Sequence, residues 1–187
     1  MLHDWWVYAN PLGRHLWPGT ATAKIGDERP AADILKQIEL TRSAIPAAGN
    51  VHWHIKSLIE NLGAVSDKLT NDPYAQPAIM PAYPWLATVK PTPPSVSLVH
   101  ERLEWSGSAD MEGHRWAVQM KRGDEWTLKL LSGSERAITL DPDDLPDAIA
   151  ITLLDRVGNA SPATVIERTG IRDALVAGKR KPDPGQL

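Results

Sequence analysis

Trp116-Ala117-Val118-Gln119-Met120-Lys121-Arg122-Gly123-Asp124-Glu125-Trp126-Thr127-Leu128-Lys129-Leu130 decides the second half of this chain. Trp116, Val118 and Met120 recur at every second position. Gly123-Asp124 is a hairpin signal, and Trp126, Leu128 and Leu130 resume the alternation. A period of two belongs to a strand with one face buried. Working outward, Val96, Leu98, Leu103 and Trp105 carry the same period on the N-terminal side, and 137–140, 149–154 and 163–166 add strands on the other. About seven short strands separated by turn signals predict a β-sandwich of immunoglobulin type. Trp105, Trp116 and Trp126 are expected to pack inward; an exposed Trp pair would instead make a carbohydrate-binding face. The tail from Gly170, with Lys179-Arg180-Lys181 and two prolines, reads as disordered.

The first half has a different period. His3 to Ala9 reads as the end of a helix carrying Trp5 and Trp6, and Asn10-Pro11-Leu12-Gly13 as a turn. His15, Leu16 and Trp17 read as a short apolar strand, ended by Pro18-Gly19. Ile34, Ile38 and Ile45, flanked by Leu35, share one helical face, which Gly49-Asn50 terminates. Residues 51–55 form the next strand. Leu58, Leu62, Val65 and Leu69 make a second helical stripe, closed by Asn71-Asp72-Pro73. Strand, helix, strand, helix with short connections is the signature of a parallel sheet with a right-handed crossover. Two such units cannot cover both faces of that sheet, and a full eight-fold barrel needs about 250 residues. Residues 1–86 are therefore expected not to fold alone, whereas 95–168 are expected to do so.

Seven prolines fall between positions 73 and 94, which excludes a helix there. Tyr74, Ile79, Met80, Tyr83, Trp85 and Leu86 are interleaved with them. The stretch reads as an extended strap packed on the α/β part, with the domain boundary at 90–94.

Composition narrows the function. The chain of 187 residues has no cysteine, which removes disulfides, zinc ribbons and thiol nucleophiles. A net charge of -3 gives no electrostatic reason to expect nucleic acid or an anionic membrane. No apolar run is long enough for a membrane span. Met1-Leu2-His3-Asp4-Trp5-Trp6 lacks the basic and apolar regions of a signal peptide. No Ser-His-Asp order, phosphate-cradling glycine loop or nucleotide fingerprint is present, and no cofactor is expected.

Trp5-Trp6, Leu16-Trp17-Pro18-Gly19, Gln37-Ile38, Arg42, Gly49 and Tyr74-Ala75-Gln76-Pro77-Ala78-Ile79-Met80-Pro81 occur in an order and spacing that resembles the C-terminal barrel portion of the glycosyl-hydrolase-like family ten proteins. Residues 148–161, ending in Asp155-Arg156-Val157-Gly158-Asn159-Ala160-Ser161, are similar to the fibronectin type III-like module that follows such barrels. Together the two resemblances cover about residues 3–168. Ile149 stands where the sandwich usually carries a corner aromatic, and the earlier barrel strands lie outside this chain. The resemblance implies a partial (β/α) TIM-barrel segment (1–90), an immunoglobulin or fibronectin type III-like β-sandwich (91–168) and a tail (169–187). It also implies a glycoside-hydrolase-like protein of the bacterial envelope, periplasmic or extracellular, with carbohydrate as its partner.

A glycosidase normally needs two carboxylates across the scissile bond, and barrel sites form at the C-terminal strand ends. Residues 19–24 and 54–57 contain no Asp or Glu. Asp27 and Glu28 come at a helix start, where capping is the ordinary role. The chain alone is thus expected to bind rather than hydrolyse. Trp17, Thr20 and Thr22 would line the rim after the first strand, and His52, His54 and Lys56, with Ser57, after the second. His52 and His54 alternate onto one face. A His-x-His pair can hold a metal, but no third ligand stands at a recognisable spacing, and none is assigned. Trp53 alternates away and is expected in the core. The exposed sheet edge calls for the missing N-terminal barrel part or a partner chain. The alternatives are a non-enzymatic carbohydrate-binding or cell-envelope interaction module, and a decayed remnant.

Overall fold

The computed structural model describes residues 2–26, 28–45, 49–87, 89–107 and 114–179. They fall into two units, Met1–Gln76 and Pro77–Leu187. Among the described residues no helix is long and apolar enough to cross a membrane.

The first unit contains α1 (Leu2–Tyr8), β1 (Gly19–Thr20), a 3₁₀ turn (Thr22–Lys24), α2 (Ala31–Ala44), β2 (Val51–His52), α3 (Ile55–Ile59), a second 3₁₀ turn (Leu62–Ala64) and α4 (Val65–Asn71). β1 and β2 are parallel, with Gly19 opposite Val51 and Thr20 opposite His52. The ladder continues on both sides: Val51 N–H donates to Pro18 O, Trp53 N–H to Thr20 O and Ala23 N–H to Trp53 O. The first strand therefore lies after Pro18 and not over His15–Trp17. Pro18 has no N–H to give, so its carbonyl is where pairing can begin.

In α2, Ala31, Ile34, Ile38 and Thr41 are buried at three- and four-residue steps, and Ile45 closes the helix with its N–H on Thr41 O. Glu28 does not cap this helix; it pairs with Lys24 at 2.5 Å. Asp27 lies outside the described residues. The second helical stripe buries as expected, with Val65 and Leu69 joining Ile25, Ile34 and Ile38 and with Leu58 and Leu62 partly covered. Its backbone, however, is broken. Asn61, Gly63 and Ala64 have φ of 50, 56 and 57°, a left-handed turn that no α-helix can run through. The Asn61 side chain restarts the helix by accepting the Ser66 N–H at 2.9 Å.

The second unit contains β3 (Ser95–Val99), β4 (Arg102–Ser106), β5 (Arg115–Arg122), β6 (Glu125–Ser132), β7 (Ala137–Thr139), β8 (Ala148–Leu154), β9 (Thr164–Glu167) and α5 (Arg168–Lys179). Two antiparallel sheets form, in the orders β3-β4-β7 and β6-β5-β8-β9. Leu103 and Trp105 from one sheet share a core with Trp116, Val118, Met120, Ile149, Ile151 and Leu153 from the other. Trp105 and Trp116 meet edge to face at 6.2 Å.

Three expectations for this unit need correction. Trp126 is not inward. The hairpin closes with Arg122 opposite Glu125, which sets Trp126 opposite Lys121, Leu128 opposite Gln119 and Leu130 opposite Ala117. Directly paired residues share a face, so this series lies on the side away from Trp116, and Trp126 is 47% exposed. The tail from Gly170 is helical to Lys179, because Ile171 and Leu175, one helical turn apart, complete the core; residues 180–187 lie outside the described residues.

The strap also belongs with the second unit, since the division falls after Gln76 and not at 90–94. Tyr83 N–H donates to Val157 O at 2.8 Å and Asn159 Nδ2 to Ala87 O at 3.2 Å. The turn that receives them is organised by buried Asp155. Its carboxylate accepts the N–H groups of Val157 and Asn159 and the Asn159 amide. Gly158, with φ of 79°, lets the strap lie against the turn; a Cβ there would meet Pro81 O at 2.9 Å.

Candidate functional site

The C-terminal ends of β1 and β2 are where a parallel α/β sheet binds ligands. Thr20 and His52 stand side by side, with Thr20 Oγ1 3.0 Å from His52 Nδ1. The opposite ring nitrogen, Nε2, lies 2.9 Å from Tyr74 Oη. Tyr74 follows α4, its ring edge-on to the imidazole at 5.9 Å. Arg42, in the last turn of α2, lies 5.7 Å from the Tyr74 ring centre and donates to Pro73 O at 2.7 Å.

One set of hydrogen-bond directions satisfies these groups. The Thr20 hydroxyl donates to Val51 O at 3.4 Å, so its oxygen accepts from His52 Nδ1, and Nε2 of the neutral imidazole is left to accept. Tyr74 then donates to His52 Nε2. The imidazole is neutral in this arrangement. Burial agrees, holding the His52 pKa below its ordinary value. Burial also raises the Tyr74 pKa, against the opposing pull of Arg42 and Asn50. None of these partners of His52 and Tyr74 is a carboxylate, so the network positions groups and does not supply the acid and base of a glycosidase.

The other expected residues are distributed unevenly. His54 follows β2 and is not part of it. It is exposed, immediately before α3, and the Trp53–His54 peptide is cis. β2 ends at His52, whose ring nitrogens meet Thr20 and Tyr74 and not His54. Lys56 is exposed and pairs with Glu60 at 3.6 Å, while Ser57 is buried. Thr22 is fully buried, which leaves no part of it at an open rim. Trp17 precedes β1, so it sits at the opposite end of the strand from the one its predicted position gave. Its ring lies against Gly49, where a Cβ would stand at 3.3 Å.

Trp53, expected in the core, is 70% exposed. It follows β2 directly, with its N–H on Thr20 O and its carbonyl accepting from Ala23 N–H. Sequence reasoning also missed Tyr74 as a partner of His52 and Asn50 as a partner of Tyr74. Tyr74 stood out as the start of the closing motif and as one aromatic among the strap prolines, but no periodicity ties it to β2.

Over 109 residues the chain is 34% identical to a protein named glycosyl hydrolase YngK from Bacillus subtilis (strain 168). The match takes in 54% of this chain and 21% of that protein, so the chain spans about a fifth of the relative's length. No family profile matches the chain, and no solved structure matches it. The similarity supports a glycosyl-hydrolase-like relationship.

Proposed function

We propose that the first unit is the closing portion of a (β/α)8 barrel and that its strand ends form part of the rim of a carbohydrate site. The second unit serves it as an accessory module of fibronectin type III-like kind. The name of the relative supports the carbohydrate reading. The parallel pair joined through α2 supports the barrel reading, because a two-stranded parallel sheet leaves both edges open and parallel sheets are otherwise covered on both faces. Further strands, from the same protein or a partner chain, would lie along those edges.

The observation that carries the reading is Trp53, held at the end of β2 with most of its ring in solvent. An indole face suits the C–H side of a sugar ring. His54 beside it offers a donor to a sugar hydroxyl, while His52, Thr20 and Tyr74 hold the strand end in place behind them. The two carboxylates of a hydrolytic site would come from other strands, so the isolated chain binds a glycan and does not cleave it.

Retention on insoluble polysaccharide tests this. Trp53→Ala and His54→Ala should each release the chain, and Trp126→Ala should not. Reducing ends released by the chain alone would overturn the non-catalytic part. Retention lost only with Trp126→Ala would move the site to the second unit. That outcome would favour a non-enzymatic carbohydrate-binding or cell-envelope module, which the exposed outer-face position of Trp126 supports.

A further inference from the structure

A pocket of about 280 Å³ opens in the second unit, between the strap and the end of the four-stranded sheet. Ala78 and Met80 of the strap, Leu130 of β6 and Leu154 of β8 give it an apolar lining, and Arg115 and Arg156 add two guanidinium groups. Both arginines are exposed. Arg122, Arg102 and Arg168 of the same unit each hold a carboxylate; neither Arg115 nor Arg156 does so among the described residues. Asp155, the one acid in the lining, is held within its own turn, where the N–H groups of Val157 and Asn159 and the Asn159 side-chain amide donate to its oxygens. Its charge is thus already hydrogen-bonded, and the two guanidinium groups are left to act on a ligand.

We propose that this pocket binds the carboxylate of an acidic sugar, a hexuronate unit of a glycan. The inference rests on the carbohydrate reading above. Guanidinium groups recognise carboxylates through paired, charge-assisted hydrogen bonds. Met80, Leu130 and Leu154 give the apolar side of a pyranose ring a surface to lie on. The volume suits one sugar ring and excludes a long oligosaccharide. Gly158 in the lining, where the strap carbonyls crowd any added Cβ, keeps the turn close beneath the strap and fixes that wall of the pocket.

Titration of the full chain with glucuronate, glucose and acetate, followed by ligand-observed NMR, reads this directly. Glucuronate should bind with a Kd on the order of millimolar, and glucose and acetate at least tenfold more weakly. Arg115→Gln and Arg156→Gln should each weaken glucuronate at least tenfold with an unchanged thermal melt. Met80→Trp should abolish binding by filling the pocket while both arginines remain. Equal binding of glucose would sink the carboxylate role, equal binding of acetate would sink the sugar, and indifference to all three substitutions would sink the pocket. Polysaccharide retention through Trp53 is scored separately, so loss of one result leaves the other standing.

Discussion

The Tyr74 phenol lies 2.9 Å from Nε2 of His52, a residue 22 positions earlier in the chain, and Thr20 holds the other ring nitrogen. A phenol that donates to an imidazole needs that imidazole neutral. Two chemical limits on the first unit follow.

The folded His52 has a lowered pKa, so the unfolded chain binds its proton more readily. The stability this contributes is present above the unfolded value, about 6.5, and is lost as pH falls through the folded value. Tyr74 works in the opposite direction. Its pKa is raised, so its contribution is present below the unfolded value, about 10, and is lost as pH rises through the folded value. Thermal melts of the full chain across pH should lose stability on both sides. His52→Gln should flatten the acid side below about pH 6.5 and leave the alkaline side in place. An acid limb identical in the variant would assign it to other groups.

Gly158 and Gly123 both have positive φ, 79 and 58°. A Cβ at Gly158 would strike the Pro81 and Met80 carbonyls at 2.9 and 3.0 Å, whereas one at Gly123 meets nothing within 4 Å. Gly123→Ala should cost only left-handed strain, about 1–2 kcal/mol. Gly158→Ala should cost more, because backbone must move as well, and should loosen the strap. Urea unfolding would show this as a larger fall in midpoint, and protease sensitivity should rise between positions 77 and 87. Equal midpoints would mean the strap yields without cost.

Trp116 and Trp126 separate core from surface within one hairpin. Trp116→Ala should destabilise by about 3–5 kcal/mol, because its ring is fully buried between the sheets. Trp126→Ala, on the open face, should change stability by about 0.5 kcal/mol or less. Ile171→Ala should fall in the range of about 2–5 kcal/mol, since that side chain is fully buried. Denaturation followed by far-UV circular dichroism avoids relying on the tryptophans themselves. A neutral Ile171→Ala would show that α5 is not part of the core.

The period-two pattern made the strands of the second unit legible, including the Gly123-Asp124 turn. The face of Trp126 was legible too, but only by counting pairs back from that turn; following the alternation onward across it gave the wrong side. The helix after Gly170 carried its signal in Ile171 and Leu175, obscured by the basic and proline-containing residues that follow. In the first unit, the Leu58-to-Leu69 stripe foretold burial but not the left-handed break, because Asn61 and Ala64 adopt positive φ without being glycine. Of the site, the sequence marked Thr20 and His52 but not the phenol between α4 and the strap, since hydrogen bonds between distant segments leave no periodic trace.

The placement of α5 also sets an order of events during synthesis. Ile171 and Leu175 are the last residues to enter a core whose first members, Leu103 and Trp105, leave the ribosome some seventy residues sooner. Until α5 emerges, that core lacks both side chains. A stop codon shortly before position 171 would release a chain whose core is short of those two side chains.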